Sequence, residues 1–187
     1  CDLLEYVWGN GGEMIDDNNN VVIDSPEAVE GLQFMSDLIH KHKIAPEGTT
    51  THQEDESLQL FTEGKAAFHR NWAYAWGVAQ GEGSKIAGDV GIVPMVAAPG
   101  KEGNPVSTFG PQGYMISAFS EHPDEAWEFL SFLTSTAGQK EMLLGAGYTP
   151  TRTSVYEDKE VLEEHPYLEL QLDSFELAKP RPVNNAV

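Results

Sequence analysis

Basic residues are scarce in this chain: eleven Lys and Arg stand against thirty Asp and Glu, giving a formal net charge of −19. That imbalance repels polyanions and excludes nucleic acid and anionic membrane surfaces as partners. Cysteine is nearly absent. Cys1 alone can form neither an internal disulfide nor a multi-thiolate metal site. The apolar stretch Leu3-Leu4-Glu5-Tyr6-Val7-Trp8 follows it at once, so Cys1 reads as an ordinary internal residue rather than a lipid-modified end. No run approaches the roughly 18 uninterrupted apolar residues of a membrane span, and no leader with a charged start and an apolar stretch is visible. The sequence reads as a piece of a longer chain. Its 187 residues, 40% apolar, suffice for a core in one domain or two small lobes.

The compact motifs of catalysis are missing as well. The six histidines include no HExxH pair, and His40 and His42, two apart on a helix, face different sides. There is no GxSxG elbow or phosphate loop, and Gly81-Glu82-Gly83-Ser84-Lys85 lacks the flanking strand that a phosphate loop needs. Asp16-Asp17-Asn18-Asn19-Asn20 lacks the ligand spacing of a calcium loop and reads as a turn. No catalytic residue, metal or cofactor is expected. The scattered carboxylates read as a solvated face, with adaptation to high salt as a second reading that melting curves in low and molar salt would test.

Periodicity then gives the elements. Turns at Trp8 to Gly12 and Asp16 to Asn20 suggest a small hairpin, with Trp8 packed at its edge. Ser25-Pro26-Glu27 starts a helix, because Ser caps free amides, Pro fits the first helical position and Glu suits the positive end of the dipole. Ala28, Leu32, Met35, Ile39 and His42 form its stripe, and Pro46 ends it. A second helix covers Glu54 to Glu63 and stops at Gly64; a strand, Lys65 to Arg70, leads to a short helix from Trp72. Further strands are expected at Asp89 to Pro94 and within Thr108 to Ala118, with a loop from Pro99 to Pro105. Helices follow at Pro123 to Thr134, burying Ala126, Trp127, Phe129, Leu130 and Leu133, at Ala137 to Leu144, at Val155 to Glu164 and at Tyr167 to Ala178. Helices alternating with strands favour an α/β arrangement.

Asn71-Trp72-Ala73-Tyr74-Ala75-Trp76 sets three aromatics within five positions at the corner after the expected strand. Aromatic faces are broad and apolar and suit a ligand with CH faces, such as a sugar ring. On a helix Trp72 and Trp76 would share a face and Tyr74 would point elsewhere. Trp72 and Tyr74 are therefore expected to line a cleft and Trp76 to pack inside.

The chain also carries, in order, Trp8 with Gly12, Ser25-Pro26-Glu27-Ala28, Phe61-Thr62-Glu63-Gly64-Lys65-Ala66-Ala67-Phe68, Asn71-Trp72-Ala73-Tyr74, Gly91-Ile92-Val93-Pro94, Pro123-Asp124-Glu125-Ala126-Trp127-Glu128-Phe129-Leu130, Gly147-Tyr148-Thr149-Pro150 and Arg181-Pro182. Together these resemble the C-terminal half of the sugar-binding proteins of ABC importers, family 1 of the extracellular solute-binding proteins, nearest its trehalose/maltose branch. The resemblance implies a periplasmic-binding-protein-like (type II) α/β fold of two lobes closing on a ligand, of which this chain supplies parts of both. It implies that residues 1–92 belong mostly to the C-terminal lobe, 93–150 to a segment returning to the N-terminal lobe and 151–187 to the hinge return and C-terminal lobe, the first half of such a protein having no counterpart here.

By the same resemblance Asn71, Trp72, Tyr74, Gly110, Gln112 and Arg181 contact the ligand. Trp72 and Tyr74 stack on or edge the sugar, and Arg181 offers a planar fork to hydroxyl pairs. A family Gly-Gly-Trp segment aligns with Gly110-Pro111-Gln112, so an amide stands where a stacking platform is expected, and Gln112→Trp should tighten disaccharide binding. The function implied is delivery of a sugar to an ABC permease by a monomeric, non-catalytic protein, periplasmic or extracellular and membrane-tethered when full-length. A receptor for a polyamine or oligopeptide, which the acidic surface would suit, and a carbohydrate-active enzyme remain open alternatives.

Overall fold

The computed structural model describes residues 2–103 and 106–182. Cys1 and Pro105, on which two expectations above fall, lie outside the described residues. The chain divides into two compact units. One comprises Cys1–His52, Val93–Gly110 and Leu170–Val187, the other Gln53–Ile92 and Pro111–Glu169. The divisions follow His52, Ile92, Gly110 and Glu169.

In the first unit, α1 (Asp2–Gly9) is a helix where a hairpin was expected. Leu4, Val7 and Trp8 recur at steps of three and one, which is helical spacing, and all three are buried together with Ala28 of α2 (Pro26–His40). Burying side chains of this size contributes about 1.5–3 kcal/mol each. Close approach depends on Gly31, because a Cβ there would lie 2.4 Å from the Tyr6 carbonyl oxygen. A side chain at 31 therefore forces the two helices apart. Ser25 caps α2 as expected, its Oγ accepting from the Ala28 N–H at 3.4 Å. The turn also forms: Ile15 and Val21 make an antiparallel bridge, and the Asp16 carboxylate accepts from the backbone N–H groups of Asn18 and Asn20 and from the Asn20 side chain.

Two strand expectations are not met, and a third is met only in part. Residues 65–70 and 89–94 carry no strand, and Thr108 to Ala118 contributes only β1 (Thr108–Phe109). The partner of β1 is β2 (Lys179–Pro180), paired in parallel with Thr108 opposite Lys179. Alternating apolar residues signal burial, whereas a strand exists only where a second backbone meets it, and among the described residues these stretches find none.

The second unit is helical. It contains α3 (Glu54–Thr62), α4 (Ala75–Gln80), α5 (Pro123–Leu133), α6 (Thr136–Ala146), α7 (Thr153–Tyr156) and α8 (Lys159–Glu164), and the start of α9 (Leu168–Glu176). Leu58, Ala79, Leu143, Val155, Tyr156, Val161, Tyr167 and Leu168 form its buried set. Lys140 of α6 reaches Asp158 and Glu160 at 2.7 Å each, and the Gln139 Oε1 accepts from the Thr151 and Arg152 N–H groups, which ties the tail to α6. The helix expected over Val155 to Glu164 is split, because Asp158 caps a new start by accepting from the Glu160 and Val161 N–H groups. Helix α5 lies where expected, but no residue of it is buried, and Trp127 is 65% exposed. Helix α6 packs against α5, and Ala126, Leu130 and Leu133 are half-buried while Phe129 stays exposed with Trp127. Helix α6 runs through Gly145 and ends at Gly147 instead, whose φ of +70° forms the left-handed cap.

Candidate functional site

The aromatic corner is built by α3 and the chain leaving it. Gly64, at φ +75°, ends α3 and releases a non-helical segment. His69 returns to α3, its Nε2 sharing a hydrogen bond of 3.0 Å with the Ser57 Oγ and its ring stacking on Phe61 at 5.2 Å. Burial holds the His69 imidazole below its ordinary pKa, and the Arg70 charge adds to the effect.

Trp72 stands before α4, so it does not share a helical face with Trp76 as the spacing suggested. Its backbone is fixed at both ends: the N–H donates to the Asn71 Oδ1 at 2.7 Å, and the carbonyl accepts from the Ala75 N–H at 3.1 Å. The indole is 41% exposed, and the Arg70 guanidinium carbon lies 4.2 Å from its ring centroid. Tyr74 is half-buried at the start of α4. Burial raises its phenol pKa, with the Asn71 amide opposing and the Asp55 and Glu54 charges adding to the rise. Gly147 backs onto it, a Cβ there falling 3.1 Å from the Tyr74 Cα. Trp76 packs inward, 5.4 Å from the Tyr167 ring, which in turn meets His165 edge-on at 5.7 Å. The inward role expected of Trp76 thus has a specific partner, as does the core role of Trp8, which is 2% exposed.

Of the expected contact residues, Asn71, Trp72 and Tyr74 come together in the second unit, where Gln112 is exposed on its own stretch. Gly110 and Arg181 come together in the first, a Cβ at 110 falling 3.8 Å from the Arg181 Nε. Beside them in sequence, Lys179 pairs with Glu13, and Glu13 accepts from the Trp8 indole N–H at 3.1 Å. Arg70 is the residue that sequence reasoning passed over. Among the described residues no group of three His, Cys, Asp or Glu is placed to hold a metal ion. Depressions along α2, lined by Val29, Gln33, Phe34 and Lys41, contain none of the expected residues. The corner offers one open aromatic face, a phenol and an amide, a set suited to stacking and hydrogen bonding.

Residues 3–168 match the profile of the bacterial extracellular solute-binding proteins. The chain belongs to that family. A "Probable ABC transporter-binding protein" of Deinococcus radiodurans is 37% identical over 97% of this chain and 43% of its own length. A maltotriose-binding protein of Pyrococcus abyssi is 29% identical over 81% of this chain and 32% of its own. Among solved structures, T. maritima MalE3 bound to maltose superposes with a TM-score of 0.84 at 42% identity, covering 97% of this chain and 46% of that one. The chain spans less than half the length of each of these relatives. The fold class expected from the resemblance is therefore that of the family: the chain is a partial, mostly helical portion of the type II periplasmic sugar-binding fold. Its homologues are solute-binding proteins.

Proposed function

We propose that this solute-binding chain is part of the receptor of an ABC importer that takes up a neutral di- or oligosaccharide of the maltose type and delivers it to a membrane permease. The observation that carries the reading is the half-exposed Trp72 face, fixed beside Tyr74 and Asn71, in a chain similar to proteins named for maltose and maltotriose. Asn71, Trp72 and Tyr74 are the ligand contacts most directly supported. Gly110, Gln112 and Arg181 are proposed as further contacts, the last because a planar guanidinium fits paired hydroxyls. The protein binds without turning over its ligand, and it works outside the cytoplasmic membrane, tethered to it when full-length. Loading is signalled to the permease through a ligand-stabilised conformation.

A polyamine is the second reading, favoured by Asp55 and Glu54 acting on Tyr74 and by the net charge of −19. Titration calorimetry of the full-length protein separates the two. Heat from maltotriose and none from spermidine supports the sugar reading, and the reverse result replaces it.

A further inference from the structure

Trp72 is more exposed than its neighbours at the corner, yet its ring is not left to solvent on both sides. The backbone is tied at the N–H by Asn71 and at the carbonyl by Ala75, which leaves only the two side-chain torsions free. A half-exposed indole has too few walls to fix those torsions by packing. The Arg70 guanidinium, 4.2 Å from the ring centroid, supplies the missing wall. A guanidinium is planar and weakly hydrated, so it stacks on an indole over a broad area and is drawn to the negative potential of the ring face. Arg70 is itself placed, because the adjacent His69 is fixed to Ser57 and Phe61.

We propose that Arg70 is a positioning residue that clamps Trp72 from one side and makes it a one-sided platform, open to a neutral stacking ligand on the other face. This rests on the sugar-binding reading above and sharpens it. Because the clamp carries a positive charge, a cationic ligand laid on the open face meets like charge across the ring, while an uncharged ring of CH groups does not.

The test uses the full-length protein and the variants Arg70→Ala, Arg70→Lys, Trp72→Ala, the Arg70→Ala/Trp72→Ala double variant and Trp72→Phe. In maltotriose titrations Arg70→Ala weakens binding about three- to tenfold, Arg70→Lys less, and Trp72→Ala at least as much as Arg70→Ala. The double variant is no weaker than Trp72→Ala, because Arg70 acts through the ring. An unchanged affinity in Arg70→Ala, or losses that multiply in the double variant, overturns the proposal. A second readout needs no ligand. The Trp72 fluorescence, isolated as the difference from Trp72→Phe, becomes more accessible to acrylamide in Arg70→Ala as the second face opens, and less quenched by iodide as the local cation is lost. Unchanged acrylamide quenching overturns the clamp even if binding falls. If the parent protein binds no sugar while both quenching changes occur, the sugar reading fails and the clamp stands.

Discussion

Gly147 lies directly behind Tyr74: a Cβ added at 147 would sit 3.1 Å from the Tyr74 Cα and 3.5 Å from its carbonyl oxygen. The same glycine caps α6 with a φ of +70°, its N–H donating to the Leu143 and Met142 carbonyls. One residue thus ends a helix and seats an aromatic of the candidate site. Gly147→Ala carries both the left-handed backbone cost and the crowding, and is expected to lower stability by roughly 1–2 kcal/mol in urea unfolding. Gly145→Ala is the control. Position 145 lies inside α6 with nothing within 4 Å of an added Cβ, so the change should leave stability equal or raise it by up to ~1 kcal/mol.

Two half-buried imidazoles make the second unit sensitive to acid. Burial depresses both His69 and His165, with the Arg70 charge adding at His69 and the Glu164 charge opposing at His165. The unfolded chain therefore takes up these protons before the folded one does. The resulting stability is complete above the ordinary imidazole value of 6.5 and is lost as pH falls through it towards the folded-state values. Urea midpoints should drop between pH 7 and pH 5, and His69→Gln should flatten that slope. A slope unchanged in the variant would remove His69 from the account.

Tyr156 donates its phenol hydrogen to the Pro150 carbonyl at 2.7 Å in a buried setting. Burial raises the phenol pKa, consistent with a group held neutral. Tyr156→Phe leaves that carbonyl without its partner and should cost about 1–3 kcal/mol in urea unfolding. A loss below a few tenths of a kcal/mol would mean that another donor replaces it.

Helices were legible in the sequence because their signals are local. Ser25-Pro26-Glu27 starts α2 through contacts within three residues, and α5 opens on Pro123 with Asp124 and Glu125 in its first turn, without a side-chain cap. What failed was anything that depends on a distant partner. Lys65 to Arg70 and Asp89 to Pro94 have strand-like composition but no second backbone among the described residues, and Trp127 and Phe129 stay exposed on an amphipathic helix. Turn residues near Trp8 outweighed the helical spacing of Leu4, Val7 and Trp8, which the packing of α1 on α2 made decisive. At the site, the aromatic cluster and the inward turn of Trp76 were legible. The Arg70 clamp was not, because a charged residue beside an aromatic run reads as surface until the ring position is known.

The central claim is that Trp72 and Tyr74 form one face of a receptor for a neutral sugar. Titration calorimetry of the full-length protein and its Trp72→Ala and Tyr74→Ala variants with maltotriose tests it most directly. The account predicts saturable binding by the parent, weakened about tenfold or more in each variant, the equivalent of about 1.4 kcal/mol per lost stacking contact. Saturable sugar binding that neither substitution changes would contradict it.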